Sequence, residues 1–591
     1  MSHSLSYRGG SFMTSIHRLT HCLNYRVLAG VMGLLLLVVP LASCGTPAPL
    51  QFTTVDLHLP AQALNAPVVG PLPDTTPMRV GITFKVSQSV LDHFAKQKIQ
   101  PGHPSGLEQF ANQIGVDDAT YQKIKDFFNL GGIGLQLSKL RTHLTITAKA
   151  KTFARLLQTN FVTHKLNNRT FFAPTKPPKL PKFLVDSIAA ITGLDNYSTP
   201  PQTGEISQQL QPQRSQRQPT QDCNALNQTL LPKDVAHAYG YDQLWNRGWH
   251  GENMTVNLVE IDGFDSNDIQ NYFDCINFQG KFHATDIDGA PSQAIGESTL
   301  DIEMVAGLAR SVNINDYETD GNADYDTWTQ VDDILQQIIN DNTNNASAGS
   351  VVSLSLGTAE GDITQNDRVA IDKSIQILTQ VEHMTVFVAS GDCAAFTNRV
   401  YRSLSVSFPA SDPWATSVGG TYLSINGNQN RANEAAWSDG SNLRTCKNQW
   451  GSGGGLSQVY GRPNWQTASG VNNQYSRGSR QIPDIAAAAY ALAVYYNGQW
   501  GAVGGTSAAA PIWAAGIALV NEGLIKQIGK YAYSPSMFYL AANKNGGMHP
   551  FYDVTRGDNL YYPATTGWDY TTGLGTPNLA DFYQVVCNDI M

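Results

Sequence analysis

Charge is scarce in this chain. Only 15% of its 591 residues are Asp, Glu, Lys or Arg, and 39 basic residues face 48 acidic ones, a net charge of -9. That balance excludes the broad basic surface that phosphate neutralisation requires, so no nucleic acid partner is expected. Few lysines and arginines also limit self-repulsion once carboxylates protonate, which suits a working life in acid. Cysteine is scarce too, with 7 in all, and no fixed-period repeat runs through the chain. What is plentiful is apolar surface, 42% of residues. A chain this long and this apolar exceeds one hydrophobic core, so more than one domain is expected.

The N-terminus carries an address. His17, Arg18, His21 and Arg26 precede the apolar run Val27 to Leu41, which has the length of a signal-peptide core and is short for a membrane span. The run ends in Leu41-Ala42-Ser43-Cys44-Gly45, which resembles a bacterial lipobox and implies membrane anchoring through a lipidated Cys44. The alternative is an ordinary cleavage site with an incidental cysteine. Either reading makes residues 1–44 a signal and puts the protein outside the cytoplasm, extracellular or at the cell surface. Five cysteines follow, Cys223, Cys275, Cys393, Cys446 and Cys587, where disulfides are favoured; their odd number leaves one over.

Residues 45–76, rich in Pro, Ala and Thr, read as a flexible tether. Alternation over 78–86 predicts a strand, helical periodicity covers 105–114 and 118–130, and further strands follow at 142–148, 161–165 and 170–173, the last two joined at Asn167-Asn168. Residues 77–196 thus form a small α+β domain. From 197 to 221 the chain turns to Pro, Gln, Ser and Arg with almost no large apolar residue, which predicts a cleavable linker. Beyond it, in residues 222–591, strand-like runs at 255–261, 351–356 and 384–389 alternate with helical patterns at 297–310, 328–340 and 367–380. That is the α/β pattern of a parallel sheet flanked by helices.

The sharpest local signal is Gly504-Gly505-Thr506-Ser507-Ala508-Ala509-Ala510-Pro511. Small residues admit a substrate backbone, and the alanines favour a helix whose N-terminus lies beneath the Ser507 hydroxyl. Standing alone, such a run is more often an N-cap. Upstream, Glu297 and Asp301 lie four apart, on one face of a helix whose Leu300, Met304, Val305 and Leu308 can face a core. Taken alone, that pair reads as charged surface. A histidine base has no candidate: His250-Gly251 and Asp262-Gly263 stand in the wrong order for a subtilisin, and His237, His283, His383 and His549 open no small-residue helix.

Together these motifs resemble the sedolisin family of serine-carboxyl peptidases, with Gly-Thr-Ser-x-x-x-Pro at Ser507 and Glu-x-x-x-Asp at Glu297 and Asp301. The resemblance implies a subtilisin-like fold and endopeptidase activity on polypeptides, with Ser507 as nucleophile, Glu297 as base, Asp301 as its partner and Asp392 as a protonated donor to the oxyanion. It extends through Phe408-Pro409-Ala410-Ser411, Gly419-Gly420-Thr421 and Pro483-Asp484. Asp553, Val554, Thr565, Gly567 and Asp569 look like the family's site for one structural Ca2+, with Thr565 where glycine is usual. Asn168 to Pro174 and Ile191 to Asn196 are similar to the end of a pro-kumamolisin activation domain, a ferredoxin-like propeptide that implies an intramolecular inhibitor, an autoprocessed zymogen and a monomer. Both carboxylate roles imply an acidic optimum, because a histidine base would be protonated at about pH 4.

Two departures stand out. Ser353-Leu354-Ser355-Leu356-Gly357 has Leu356 where the family has tryptophan, which puts in question the extension of the acid network to Glu260. Cys393 follows Asp392 and is expected in a disulfide, with Cys446 as one candidate partner. A subtilisin-type peptidase, or a surface-anchored binding protein that has lost activity, remains an alternative at this level.

Overall fold

The computed structural model describes residues 50–101, 103–129, 131–203, 229–321, 326–343, 349–397, 403–428, 430–439 and 450–591. The export run, Cys44, Cys223, Cys446 and residues 204–221 of the linker lie outside them. Cys275 and Cys393 are disulfide-bonded and Cys587 is free.

The first domain is an antiparallel sheet of strands β1 (Pro77–Phe84), β2 (Gly134–Leu137), β3 (His143–Lys149) and β4 (Ile188–Thr192), in the order β2-β3-β1-β4. Val80, Ile82, Leu144 and Ile146 alternate along β1 and β3 and bury one face against Ile124 and Phe128 of the Asp118–Phe127 helix end and Phe153 of the Ala150–Leu156 helix. The tether expected over 45–76 is instead built into this domain from its described start. Phe52–Thr54 pairs with Lys179–Pro181, and Val68–Pro71 pairs with Phe161–Leu166. Val55, Leu57, Ala63 and Ala66 are buried. Strands of three and four residues are too short to carry a periodic pattern, so pairing, not propensity, orders them.

In the second domain β6 (Thr255–Glu260), β7 (Lys281–Asp286), β8 (Asn313–Glu318), β9 (Val351–Leu354), β11 (Thr385–Ala389), β12 (Thr416–Ile425), β13 (Arg431–Ala436) and β14 (Ile485–Ala488) form one sheet. Its path is β7-β8-β6-β9-β11-β12-β13, with β14 also on β12. Only β13 is antiparallel to its neighbour. Helices α2 (Glu297–Leu308) and α5 (Thr506–Ile528) cover one face, and α3 (Thr327–Asn342) and α4 (Gln365–Gln380) the other. Side-chain alternation assigns the faces: Val256 and Leu258 of β6 join the α2/α5 core, while Val259 joins the α3/α4 core. The parallel strands are buried on both sides and read as continuous apolar runs for that reason. Helix α5 is long and apolar enough to cross a bilayer, yet its most apolar stretch is 94% buried inside the protein, so it is a core helix.

The two domains dock along α3 and α4. Arg79 of β1 pairs with Asp333 at 2.5 Å and Asp288 at 2.7 Å, and Thr145 donates to Asp333 at 2.8 Å. Leu91 and Phe94 of α1 (Gln88–Phe94) enter the α3/α4 core. Beside them His383 stacks on Tyr533 at 4.3 Å and reaches the Phe94 carbonyl through Nε2 at 3.0 Å. A carbonyl only accepts, so Nε2 carries the proton and Nδ1 accepts from Tyr531 Oη, also at 3.0 Å.

Burial under the first domain pushes the His383 imidazole below its usual pKa, only partly offset by the Phe94 carbonyl. The docked state therefore binds fewer protons at His383 than the separated halves, and the contribution of this residue to docking falls as pH drops through the ordinary histidine range, about 6.5. In a Ser507→Ala chain nicked between residues 204 and 221, His383→Gln is expected to retain the first domain to lower pH than His383 does. Size-exclusion chromatography across pH 7 to 4 reads the difference, and coincident release curves would refute it.

Candidate active site

Ser507 lies in the first turn of α5, where Gly505 precedes it at φ 141°. A Cβ on residue 505 would sit 2.9 Å from Asp392 Oδ2, so only glycine lets the turn pass this close to the acid. Asp392 follows the end of β11 and accepts from the Thr506 N–H at 2.8 Å and hydroxyl at 2.7 Å. The acid is thereby fixed beside the serine, at the mouth of a groove.

Glu297 and Asp301 are 2% and 0% exposed. A charged surface pair is thus excluded. Every residue of α2 is buried, including Ser298, Thr299 and Glu303 as well as the expected Leu300, Met304, Val305 and Leu308. The helix lies between the sheet, α5 and the chain around Tyr495, so its acids occupy core positions. Desolvation, and then the neighbouring Asp301 charge, push the Glu297 carboxyl well up; hydrogen bonding with the Ser507 side chain opposes the shift. Burial likewise raises Asp301, which accepts from Ser355 Oγ at 2.6 Å and shares a hydrogen bond with Glu260. Ser355 Oγ also lies 3.0 Å from the Ser507 carbonyl, so its single proton is shared between the two acceptors. Ser507, Glu297, Asp301 and Glu260 are therefore close enough to act on one another's protons, with Ser355 bridging Asp301 and the Ser507 backbone.

The extension to Glu260 is present despite Leu356, which is turned into the apolar α3/α4 core. Asp262, set aside above as a poor subtilisin mimic, lies beside these acids and hydrogen-bonds the start of α2. Sequence reasoning missed it; an acid two residues after Glu260 at a strand end was the available signal. No described histidine takes part: His237 pairs with Asp242, His383 faces the first domain, and His283 and His549 are exposed.

The groove, a cavity of about 240 Å³, is lined by Ser355, Leu356, Gly357, Asp392, Trp450 and Ser507, among others. The chain's own tail enters it. Arg169 donates to the carbonyls of Asn196, Tyr197 and Ser198 at 2.6, 2.5 and 2.5 Å, Thr199 donates to Asp362 at 2.8 Å, and Trp328 Nε1 donates to Thr199 at 2.8 Å. Strand β5 (Gln202–Thr203) then pairs antiparallel with β10 (Leu356–Ala359), Gln202 opposite Gly357 and Thr203 opposite Leu356. The first part of the expected linker is thus anchored, because unpaired main-chain groups of β10 order it where its side chains cannot. Its course leads toward Ser355, whose carbonyl lies 3.5 Å from Ser507 Oγ.

At the C-terminal side, Asp569 accepts from Thr565 N–H at 3.0 Å and Thr571 N–H at 2.8 Å, and Asp553 accepts from Gly567 N–H at 3.0 Å. Burial raises both carboxyls, Asp569 to about 6. One loop therefore gathers two hard-oxygen groups whose charge a cation would favour, so the residue set fits a calcium ion.

Residues 65–197 match the family described as pro-kumamolisin, activation domain, and residues 283–548 match the subtilase family. The chain is 26% identical to sedolisin of Pseudomonas sp. (strain 101) over 524 residues, covering 83% of this chain and 84% of that protein. It is 28% identical to kumamolisin of Bacillus sp. (strain MN-32) over 367 residues, 58% of this chain and 61% of that one. Among solved structures, Pseudomonas sedolisin, a serine-carboxyl proteinase complexed with two molecules of pseudo-iodotyrostatin, superposes with a TM-score of 0.53 at 26% identity. It covers 62% of this chain and all of its own.

Proposed function

We propose that this chain, which belongs to the sedolisin family of serine-carboxyl peptidases and carries its own activation domain, is an exported, acid-acting endopeptidase made as a self-processing zymogen. Ser507 Oγ attacks the peptide carbonyl and gives its proton to Glu297, the ionised member of the acid cluster, which becomes neutral as the charge passes to the oxyanion; Asp301 and Glu260 keep the proton they share. Protonated Asp392 donates to the oxyanion, Glu297 returns its proton to the departing amine, and water then hydrolyses the acyl-serine by the same route. A neutral acid donor is lost when it ionises, so the rate falls toward neutral pH, opposite to a histidine-based enzyme.

The tail in the groove carries the endopeptidase reading. It runs toward Ser507 as an added strand, and its contacts from Thr199 to Thr203 support a reading in which several residues upstream of the cut bond are accommodated. A peptidase that released only di- or tripeptides would close the groove before that point. Matched peptides with two to eight residues before one scissile bond should show kcat/KM rising to at least five upstream residues at pH 4. Release of N-terminal tripeptides alone, read by mass spectrometry, would overturn the assignment. Because 197–203 is anchored, the processing cut is expected between residues 204 and 221.

Asp553, Val554, Thr565, Gly567 and Asp569 would hold one Ca2+, which ties the loop together through hard-oxygen ligands. At a calcium concentration a hundredfold above Kd, the ion contributes about 2.7 kcal/mol. Chelation should accordingly lower the Tm of the Ser507→Ala chain, and added calcium should restore it; an unchanged Tm argues against the site. Export and anchoring at Cys44 rest on the N-terminal sequence, and mass spectrometry of the mature N-terminus tests both. A lipid on Cys44 supports anchoring, and an unmodified terminus refutes it.

A further inference from the structure

Glu297 opens α2, yet nothing on that helix caps its end. Gly296 occupies the N-cap at φ 108° and has no side chain to offer. The exposed backbone donors are taken by Asp262, two residues past the end of β6. Its Oδ2 accepts from the Ile295 N–H at 3.0 Å and the Gly296 N–H at 3.1 Å, and its Oδ1 from the Ser298 N–H at 3.1 Å. The residue is 3% exposed and does not line the groove, so it cannot touch substrate. Glu260, two residues earlier, binds Asp301 one turn further along the same helix. The end of β6 thus grips α2 at two successive turns, with the Glu297 side chain between the grips.

We propose that Asp262 is a positioning residue for Glu297, its carboxyl group holding the first turn of α2 so that the base faces Ser507. The inference rests on the reading of Glu297 as the base. Burial raises this carboxyl to about 6, so at pH 4 it holds a proton, yet each of its oxygens keeps a lone pair for a backbone N–H; an amide cannot stand in, because in either orientation its NH2 points at a backbone N–H. A helix start released from this hold lets Glu297 move by about 1 Å, a displacement that costs on the order of 100-fold in rate. Substrate contacts in the groove are untouched, so the loss falls on kcat.

The test measures kcat and KM on one internally cleaved peptide at pH 4 for four chains: wild type, Asp262→Asn, Glu297→Gln and the double variant. Asp262→Asn is expected to lower kcat about 10- to 100-fold with KM held within about twofold. In the Glu297→Gln background the same change is expected to do almost nothing, because the group it positions is gone. Equal losses in both backgrounds would mean a general structural role and overturn the proposal, as would an Asp262→Asn enzyme of wild-type kcat. Should the amide variant fail to accumulate, Asp262→Ser, whose hydroxyl accepts without aiming a second donor at Ser298, is read in the same two backgrounds. A wild-type chain that cuts no peptide overturns the functional reading and this proposal together, whereas an active wild type indifferent to Asp262 overturns the proposal alone.

Discussion

At pH 4 the full-length chain should cut itself within residues 204–221, while Ser507→Ala should remain intact and Glu297→Gln should process far more slowly. Loss of the nucleophile removes the covalent route and is expected to lower the rate at least about 1,000-fold. Loss of the base leaves the hydroxyl to ionise unaided and is expected to cost about 100- to 10,000-fold. Glutamine keeps the volume of Glu297 in a site that is 2% exposed, so the fold should survive the change. Gel analysis over time separates these outcomes. A Ser507→Ala chain that processes at the wild-type rate would remove Ser507 from the mechanism.

The second large effect concerns stability. Arg480 and Asp484 are both 0% exposed and meet through two parallel hydrogen bonds, Nη1 to Oδ1 at 2.7 Å and Nη2 to Oδ2 at 2.5 Å. Asp484 also accepts from the Ser417 N–H at 2.8 Å and Tyr539 Oη at 2.7 Å, joining β12 to the segment that leads into β14. Arg480→Met strands a buried carboxylate, and breaking such a pair costs about 3–5 kcal/mol. Adding Asp484→Asn should recover part of that loss, since the orphaned charge is removed while an acceptor stays for Ser417. Urea unfolding in a Ser507→Ala background measures both. If the single variant loses less than about 1 kcal/mol, the pair matters no more than an exposed one.

Spacing and local pattern made much of this molecule readable. The four-residue interval between Glu297 and Asp301, the small residues around Ser507 and the alternation of apolar strands and helices are all local properties, and the folded chain keeps them. Burial is different. Helix α2 is enclosed on every side, and a helix with no polar face has no amphipathic stripe to read, so the depth of its carboxylates emerges only from the packing of α5 and the sheet around it. The same holds for Phe52–Thr54 and for Gln202–Thr203, which are ordered by partner strands far away in sequence. Leu356 shows the reverse case. A substitution that put the link to Glu260 in question leaves it in place, because the leucine belongs to the core and the acids meet without it. Asp262 went unread because its partners, Ile295, Gly296 and Ser298, are more than 30 residues away.

The strand Leu356–Ala359 has Gln202–Thr203 of the tail on one side and Ser407–Phe408 on the other. When processing frees the tail, one margin of that strand is left with open main-chain donors and acceptors, and these bind any extended polypeptide whatever its side chains. The linker of a second, still unprocessed copy qualifies as readily as a foreign protein. Maturation should therefore feed on its own product: slow while each chain depends on its own tail, then faster as freed molecules serve their neighbours, with a lag that shortens as the protein is concentrated.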